Sequence, residues 1–110
     1  MIRGTDQLFT ISIPEDYDLA NIEKLKVFFW QDHHQGTEDI PFPIVKELNS
    51  CTVDADHQQI HVCLSPAETL AFTDCAKGYV QFKAKMRDGF VFGNTRQMFT
   101  VYSTPDDEIM

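Results

Sequence analysis

Apolar and polar residues alternate with a period of two along most of this chain. Phe9, Ile11 and Ile13 are separated by Thr10 and Ser12, and Pro14 ends the run. That pattern predicts a strand with one face against a core. From Leu25 to Gln31 the residues Leu25, Val27 and Phe29 alternate with Lys24, Lys26 and Phe28. Phe28 and Trp30 make the second face apolar as well, as expected of a central strand or of a face covered by a neighbour. Later, Ile60, Val62 and Leu64 alternate with Gln59, His61 and Cys63, and Val80, Phe82, Ala84 and Met86 with Gln81, Lys83, Lys85 and Arg87. A return strand from about Phe90 to Tyr102 sets Met98, Thr100 and Tyr102 opposite Phe99 and Val101.

Turn-forming residues punctuate these runs. Pro14 to Asp18 reads as a connector, because proline presets φ and aspartates bond nearby backbone. Asp32 to Gly36 reads as a loop. Pro41 and Pro43 bracket Phe42, which bars a regular central strand and favours an edge segment or extended loop. A strand resumes at Val45 and Leu48, and Val53 to His57 forms a tight turn. In Ser65-Pro66-Ala67-Glu68 the serine can cap, the proline suits the first helical position, and the glutamate can reach back to the cap N–H. One helical turn therefore follows, through Leu70-Ala71-Phe72. Asp88-Gly89 is a dipeptide favoured in tight hairpins. About seven short strands and one short helical turn predict an all-β, immunoglobulin-like β-sandwich. It is expected as a single domain over residues 1–104, with a flexible acidic C-terminal tail over 105–110.

The chain has 110 residues, enough for one such domain. Its nine Lys plus Arg against seventeen Asp plus Glu give a formal net charge of −8. That balance repels phosphate backbones and anionic membranes, so no nucleic-acid and no membrane partner is expected. No apolar run reaches the roughly 18 residues needed to cross a bilayer. The opening residues lack the apolar stretch of a signal peptide, and the expected location is the cytoplasm of the producing cell. Cys51, Cys63 and Cys75 fit that location, because an odd number cannot close a disulfide framework. They are expected as buried, reduced, structural thiols.

Candidate chemistry is sparse. His57, His61 and Cys63 share a strand face by parity, but His57 and His61 lie roughly 13 Å apart, too far to share one ion. Neither the Cys-x-x-Cys nor the His-Glu-x-x-His spacing occurs. Serine nucleophile elbows and phosphate-cradling glycine runs are missing too. No catalytic residue, metal or cofactor is expected. The aromatic residues carry more. Trp30 is expected in the core. Phe42, presented by two prolines, is assigned to a partner surface. The Phe90–Tyr102 strand offers an edge, with Phe92 or Phe99 packing beside an added strand from a second copy or another protein. Its alternative is a strand paired on both sides within its own sheet.

The opening Met1-Ile2-Arg3-Gly4-Thr5, with Phe9, Ile11, Pro14 and Asp16, resembles the start of a family of small proteins. These are encoded among the structural genes of phages and prophages of Gram-positive, often gut, bacteria. The likeness continues through Ile22, Leu25, Val27, Phe29, Gln31, Lys46 and Cys51. It then runs through Val62-Cys63-Leu64-Ser65 and Glu68-Thr69-Leu70-Ala71-Phe72, and through Val80-Gln81-Phe82-Lys83 to Gly89. The His33 to Pro43 loop and Phe90-Val91-Phe92 depart from it. The resemblance implies a non-enzymatic structural or assembly role in a particle, through self-association or contacts with other virion proteins, and hence a location in the cytoplasm or the virion. The alternative from the residues is a free-standing immunoglobulin-like adhesion or carbohydrate-binding module.

Overall fold

The alternating segments become strands of two packed antiparallel sheets. The computed structural model describes residues 1–73 and 76–103. Its elements are β1 (Gln7–Ser12), β2 (Ile22–Trp30), β3 (Ile44–Glu47), β4 (Cys51–Asp54), β5 (Gln59–Leu64), α1 (Pro66–Leu70), β6 (Lys77–Met86), β7 (Val91–Gly93) and β8 (Gln97–Thr100). The smaller sheet has the order β1-β5-β4. The larger runs β3-β2-β6, with β7 and β8 both pairing β6 on its far side. Those two orders are the B-E-D and C′-C-F-G arrangements of an immunoglobulin-like sandwich, with the G position filled by two short strands. The expected tail over 105–110 and Cys75 lie outside the described residues.

The return strand is one element in the pattern and two in the structure, and the cause lies between them. Gly93 sits so close to β6 that a Cβ there would meet the Phe82 carbonyl oxygen at 2.6 Å. Asn94 then interrupts the ladder: its side-chain oxygen accepts from Phe82 N–H at 2.9 Å, and its carbonyl accepts from the Gln81 amide at 2.7 Å. At the other end of β7 the Asp88-Gly89 turn forms as expected. Gly89 has a φ of 95°, and Asp88 Oδ1 accepts from Phe90 N–H.

Inward positions of both sheets meet in one core. Val27, Phe29, Ile60, Val62, Leu64 and Phe72 are almost inaccessible, and Phe9 packs on Phe29 with ring centroids 4.9 Å apart. Each such side chain contributes roughly 1.5–3 kcal/mol through burial. Trp30 is not among them; like Phe28, it lies half-buried on the outer side of β2, where parity and size point different ways.

The helical turn at α1 ties the ends together. Ser65 caps it by accepting from Glu68 N–H at 3.2 Å, and Glu68 Oε1 accepts from Ser65 N–H at 2.8 Å. The Glu68 carboxylate also holds Lys46 of β3 at 2.7 Å. Thr69, fully buried, has its one hydroxyl proton shared between Thr5 O and Pro66 O and accepts from Gly4 N–H. Arg3 donates to Leu70 O at 3.2 Å. Met1 to Arg3 in turn run parallel beside the end of β8, through Tyr102 N–H to Met1 O and Arg3 N–H to Tyr102 O, each 2.8 Å. Buried Gln31 closes the end of β2, its amide exchanging two hydrogen bonds with the Thr73 backbone.

Desolvation works against ionising Glu68, but the Lys46 hydrogen bond and charge and the Ser65 N–H outweigh it, holding the carboxyl below its ordinary 4.5. A depressed folded-state pKa means that the carboxylate stabilises the fold above the unfolded value. That contribution disappears as the pH falls through the folded value. Glu68→Gln keeps a bond to the cap but loses the ion pair, and should cost about 0.5–1 kcal/mol at neutral pH. Urea unfolding read at neutral pH and below pH 4 checks this: the difference from the unsubstituted protein should shrink in acid.

Candidate functional site

Strand parity that buries one side of β2 and β6 necessarily exposes the other. Across the outer face, Lys24 stands opposite Lys85, Lys26 opposite Lys83, Phe28 opposite Gln81, and Trp30 opposite Tyr79. On the flanks, β3 adds Val45 beside Phe28 and Glu47 beside Lys26. Val91 lies beside Lys85, and Met98 beside Tyr79. Lys77 follows the same parity and donates to Thr100 Oγ1 at 2.9 Å. The result is a lysine half and an aromatic half on one rigid sheet.

In the aromatic half, Trp30 stacks on Tyr79 with centroids 5.7 Å apart and an interplanar angle of 28°. The Arg96 guanidinium lies 4.1 Å from the Tyr79 ring centroid and reaches Asp32 at 2.9 Å. Desolvation opposes the ionisation of Asp32, but the Arg96 hydrogen bond and charge, with polar contacts from Trp30 and Tyr79, keep its carboxyl below the ordinary value. Beside this stack a shallow groove of about 340 Å³ runs along Phe28, Trp30, His34, Phe42 and Pro43. In the lysine half a second groove, of about 310 Å³, has Phe28 and Val91 against Lys24, Lys26, Lys83 and Lys85.

The charge on this face runs against that of the chain. Six of the nine Lys and Arg residues lie here: Lys24, Lys26, Lys77, Lys83, Lys85 and Arg96. Glu23, Glu47 and Asp32 are the acids beside them, while the chain as a whole carries −8. Among the described residues Lys24, Lys26, Lys83 and Lys85 make no ion pair within 4.0 Å. Like charges directly opposite on neighbouring strands destabilise a sheet. Two such pairs in successive rows are therefore a cost to the fold.

The residues expected at a partner surface are placed differently. Phe92 points into the core at 9% exposure, stacked on Tyr17 with centroids 4.1 Å apart. Phe99 is half-buried between Phe9 and Phe72 and lies against Gly78, where a Cβ would meet its ring at 2.3 Å. Both face inward because they share parity with Ala84 and Gly78 of β6. Phe42 is half-buried, its ring 4.7 Å from Phe72 on one side and lining the aromatic groove on the other. The far edge of β8 is also occupied at its end, where Met1 to Arg3 pair with residues 100–102. Val101 is wholly buried and donates its N–H to Ala76 O.

The thiols and histidines are also now placed. Cys63 is exposed on the outer side of β5, contrary to the expectation of burial, because it alternates with the core residues Val62 and Leu64. Cys51 is half-buried, and desolvation raises its thiol pKa despite nearby Lys46. His57 is bound to Asp54 at 2.8 Å and His61 to Thr10 at 3.0 Å. No trio of His, Cys, Asp or Glu that could hold a metal ion occurs among the described residues, nor does any helix there have the length and apolarity to cross a membrane.

The lysine rows generate a prediction opposite to that for a purely structural surface. Lys83→Glu turns one like-charge pair into an attractive one and should stabilise the protein by about 0.2–1 kcal/mol at low ionic strength. Thermal or urea unfolding at low salt checks it, and the gain should vanish near 1 M salt, where the Debye length is about 3 Å.

No protein-family model matches this chain, and no curated protein matches it in sequence.

Proposed function

We propose that this protein is a non-enzymatic structural or assembly component of a phage or prophage particle that acts through protein–protein contacts. The observation that carries the reading is the uncovered outer face of the large sheet. It combines half-exposed aromatics, which supply contact area at low entropy cost, with like-charged lysine rows that a solitary domain has no stabilising use for. The resemblance of Met1 to Thr5 and of the Ser65 to Phe72 stretch to a phage-encoded family supplies the setting. In that setting the protein is made in the cytoplasm and is built into or onto the particle.

The Trp30–Tyr79 stack supports a second reading, a carbohydrate-binding module of the same fold. Its two rings are inclined by 28°, and Trp30 lines a groove with the polar side chains of His34 and Gln81. Trp30 is the only tryptophan in the chain, so its fluorescence reports directly on that half of the face. Saturable emission changes with a defined oligosaccharide favour the module.

Quantitative mass spectrometry of particles purified after prophage induction tests the assembly reading. A constant copy number per particle, with malformed or missing particles when the gene is deleted, is the expected result. Absence from the particles together with normal particle yield on deletion overturns it.

A further inference from the structure

The connections at one end of the sandwich form a continuous acidic surface. Residues 13–21 lead from β1 to β2, residues 55–58 join β4 to β5, and residues 87–90 join β6 to β7. Backbone and amide hydrogen bonds knit them: Ile13 N–H to Gln58 O at 2.8 Å, the Gln58 amide to Pro14 O and Tyr17 O, and Arg87 N–H to Asn21 O at 2.9 Å. This end carries Glu15, Asp16, Asp18, Asp54, Asp56 and Asp88, against Arg87 and an Asp54-bound His57. At its centre Phe90 is 52% exposed and stacks on Tyr17, beside a groove shared with Asp16, Asp18 and Asp88. The end is thus an aromatic knob ringed by carboxylates.

The lysine half of the sheet face is its converse, a shallow groove of Phe28 and Val91 ringed by four lysines. We propose that this face docks the acidic end of a second copy of the chain, head to tail, with Phe90 of one copy against the Phe28–Val91 groove of the next. The two surfaces are made by different residues and adjoin at Lys85–Met86 and Phe90–Val91; with one such contact per pair of molecules the association is heterologous, closing into a ring if the rotation allows and otherwise continuing as a filament. Complementarity of charge and shape within one chain selects the second copy over an unrelated acidic partner, because both halves of the contact come with every molecule.

Strand spacing and rise set its strength. Four strand rows about 4.8 Å apart and seven residues of about 3.4 Å give a face of roughly 15 by 20 Å. Covering it on both partners buries roughly 600–800 Å², the range of weak, transient contacts. The association is therefore weak between free molecules, is weakened by salt, and is strengthened when many copies are held together.

This inference rests on the assembly reading of the same face, and the test separates the two. Sedimentation velocity at low and high ionic strength is measured on the full chain and on two folded variants. One is Lys26→Gln/Lys83→Gln; the other is Glu15→Gln/Asp16→Asn/Asp56→Asn, all exposed positions with unchanged circular dichroism required. The unsubstituted protein should associate with concentration at low salt and dissociate at high salt. Each variant alone should lose about tenfold or more in association, the scale of two or three exposed charge contacts. Mixed together they should form 1:1 dimers that grow no further, since each supplies one working surface. Monomer at every concentration, unchanged association of either variant, or no dimer from the mixture overturns the proposal. Binding of a single-stranded oligonucleotide by a monomer, lost in the lysine variant, also overturns it. All of these leave the particle composition experiment unaffected.

Discussion

The antiparallel ladder between β2 and β6 is the constraint on which everything else in this molecule depends. It pairs Ile22 to Trp30 with Tyr79 to Met86, the two longest strands, and every other strand of the large sheet attaches to one of them. Because side chains alternate across a strand, its register settles two questions at once. Leu25, Val27 and Phe29 meet Ala84, Phe82 and Val80 inside; Lys24, Lys26, Phe28 and Trp30 meet Lys85, Lys83, Gln81 and Tyr79 outside. A slip of one residue in either strand would turn that strand's lysines inward and its core residues outward, so the hydrophobic pattern enforces the lysine rows as a by-product. The fold has strong reason to keep the ladder and a small electrostatic reason to avoid its outer decoration.

That imbalance distinguishes a surface with a task from one that merely meets water. A solvated face is stabilised by mixing signs across strands, and this chain has seventeen acids with which to do so. It sets six of them on the loops at one end and places only Glu23, Asp32 and Glu47 beside the basic residues of this face. The outcome is a domain with strong charge asymmetry about a modest core, in which steering of an acidic partner is available at short range even though the net charge is negative. Net charge governs approach from beyond the Debye length of about 8 Å; the local rows govern what happens inside it.

The core was legible from local sequence because burial here follows period two. Val80, Phe82, Ala84 and Met86 are inward in the pattern and buried in the structure, and the Ser65 to Glu68 box caps a helical turn as its residues demand. The face was not legible for a definite reason. Lys24 and Lys26 are separated from Lys83 and Lys85 by nearly sixty residues, and only the register of a long-range ladder makes them neighbours. The available hint was two i,i+2 lysine pairs in an acidic chain, which alternation alone reads as ordinary solvation. Phe92 and Phe99 misled in the opposite way. In a nominally continuous strand they look available to an edge partner. The Gly93–Asn94 break resets the strand, so that both project inward onto Tyr17, Phe9 and Phe72.

One set of side-chain and backbone bonds gathers at the end of the sandwich away from the acidic loops. Arg3, Gly4 and Thr5 bond to Leu70 and Thr69; Glu68 holds Lys46 and caps with Ser65; Gln31 closes onto Thr73 close by. All of these meet around α1, the crossover from the small sheet to the large one. There, too, the N-terminal segment is bound and, through Met1 to Arg3, the end of β8 is covered. Gly4 adopts a φ of 79°, a left-handed turn that lets the chain pass from its pairing beside β8 into β1, and so glycine suits that position. These residues act as a brace: they keep the two sheets in register and protect one edge. The outer face, with Lys24, Lys26, Phe28, Trp30, Tyr79 and Lys85, takes no part in it. A brace set apart from the outer face lets the scaffold and the surface vary independently, because the brace answers to the geometry of the fold and the face answers to whatever binds it.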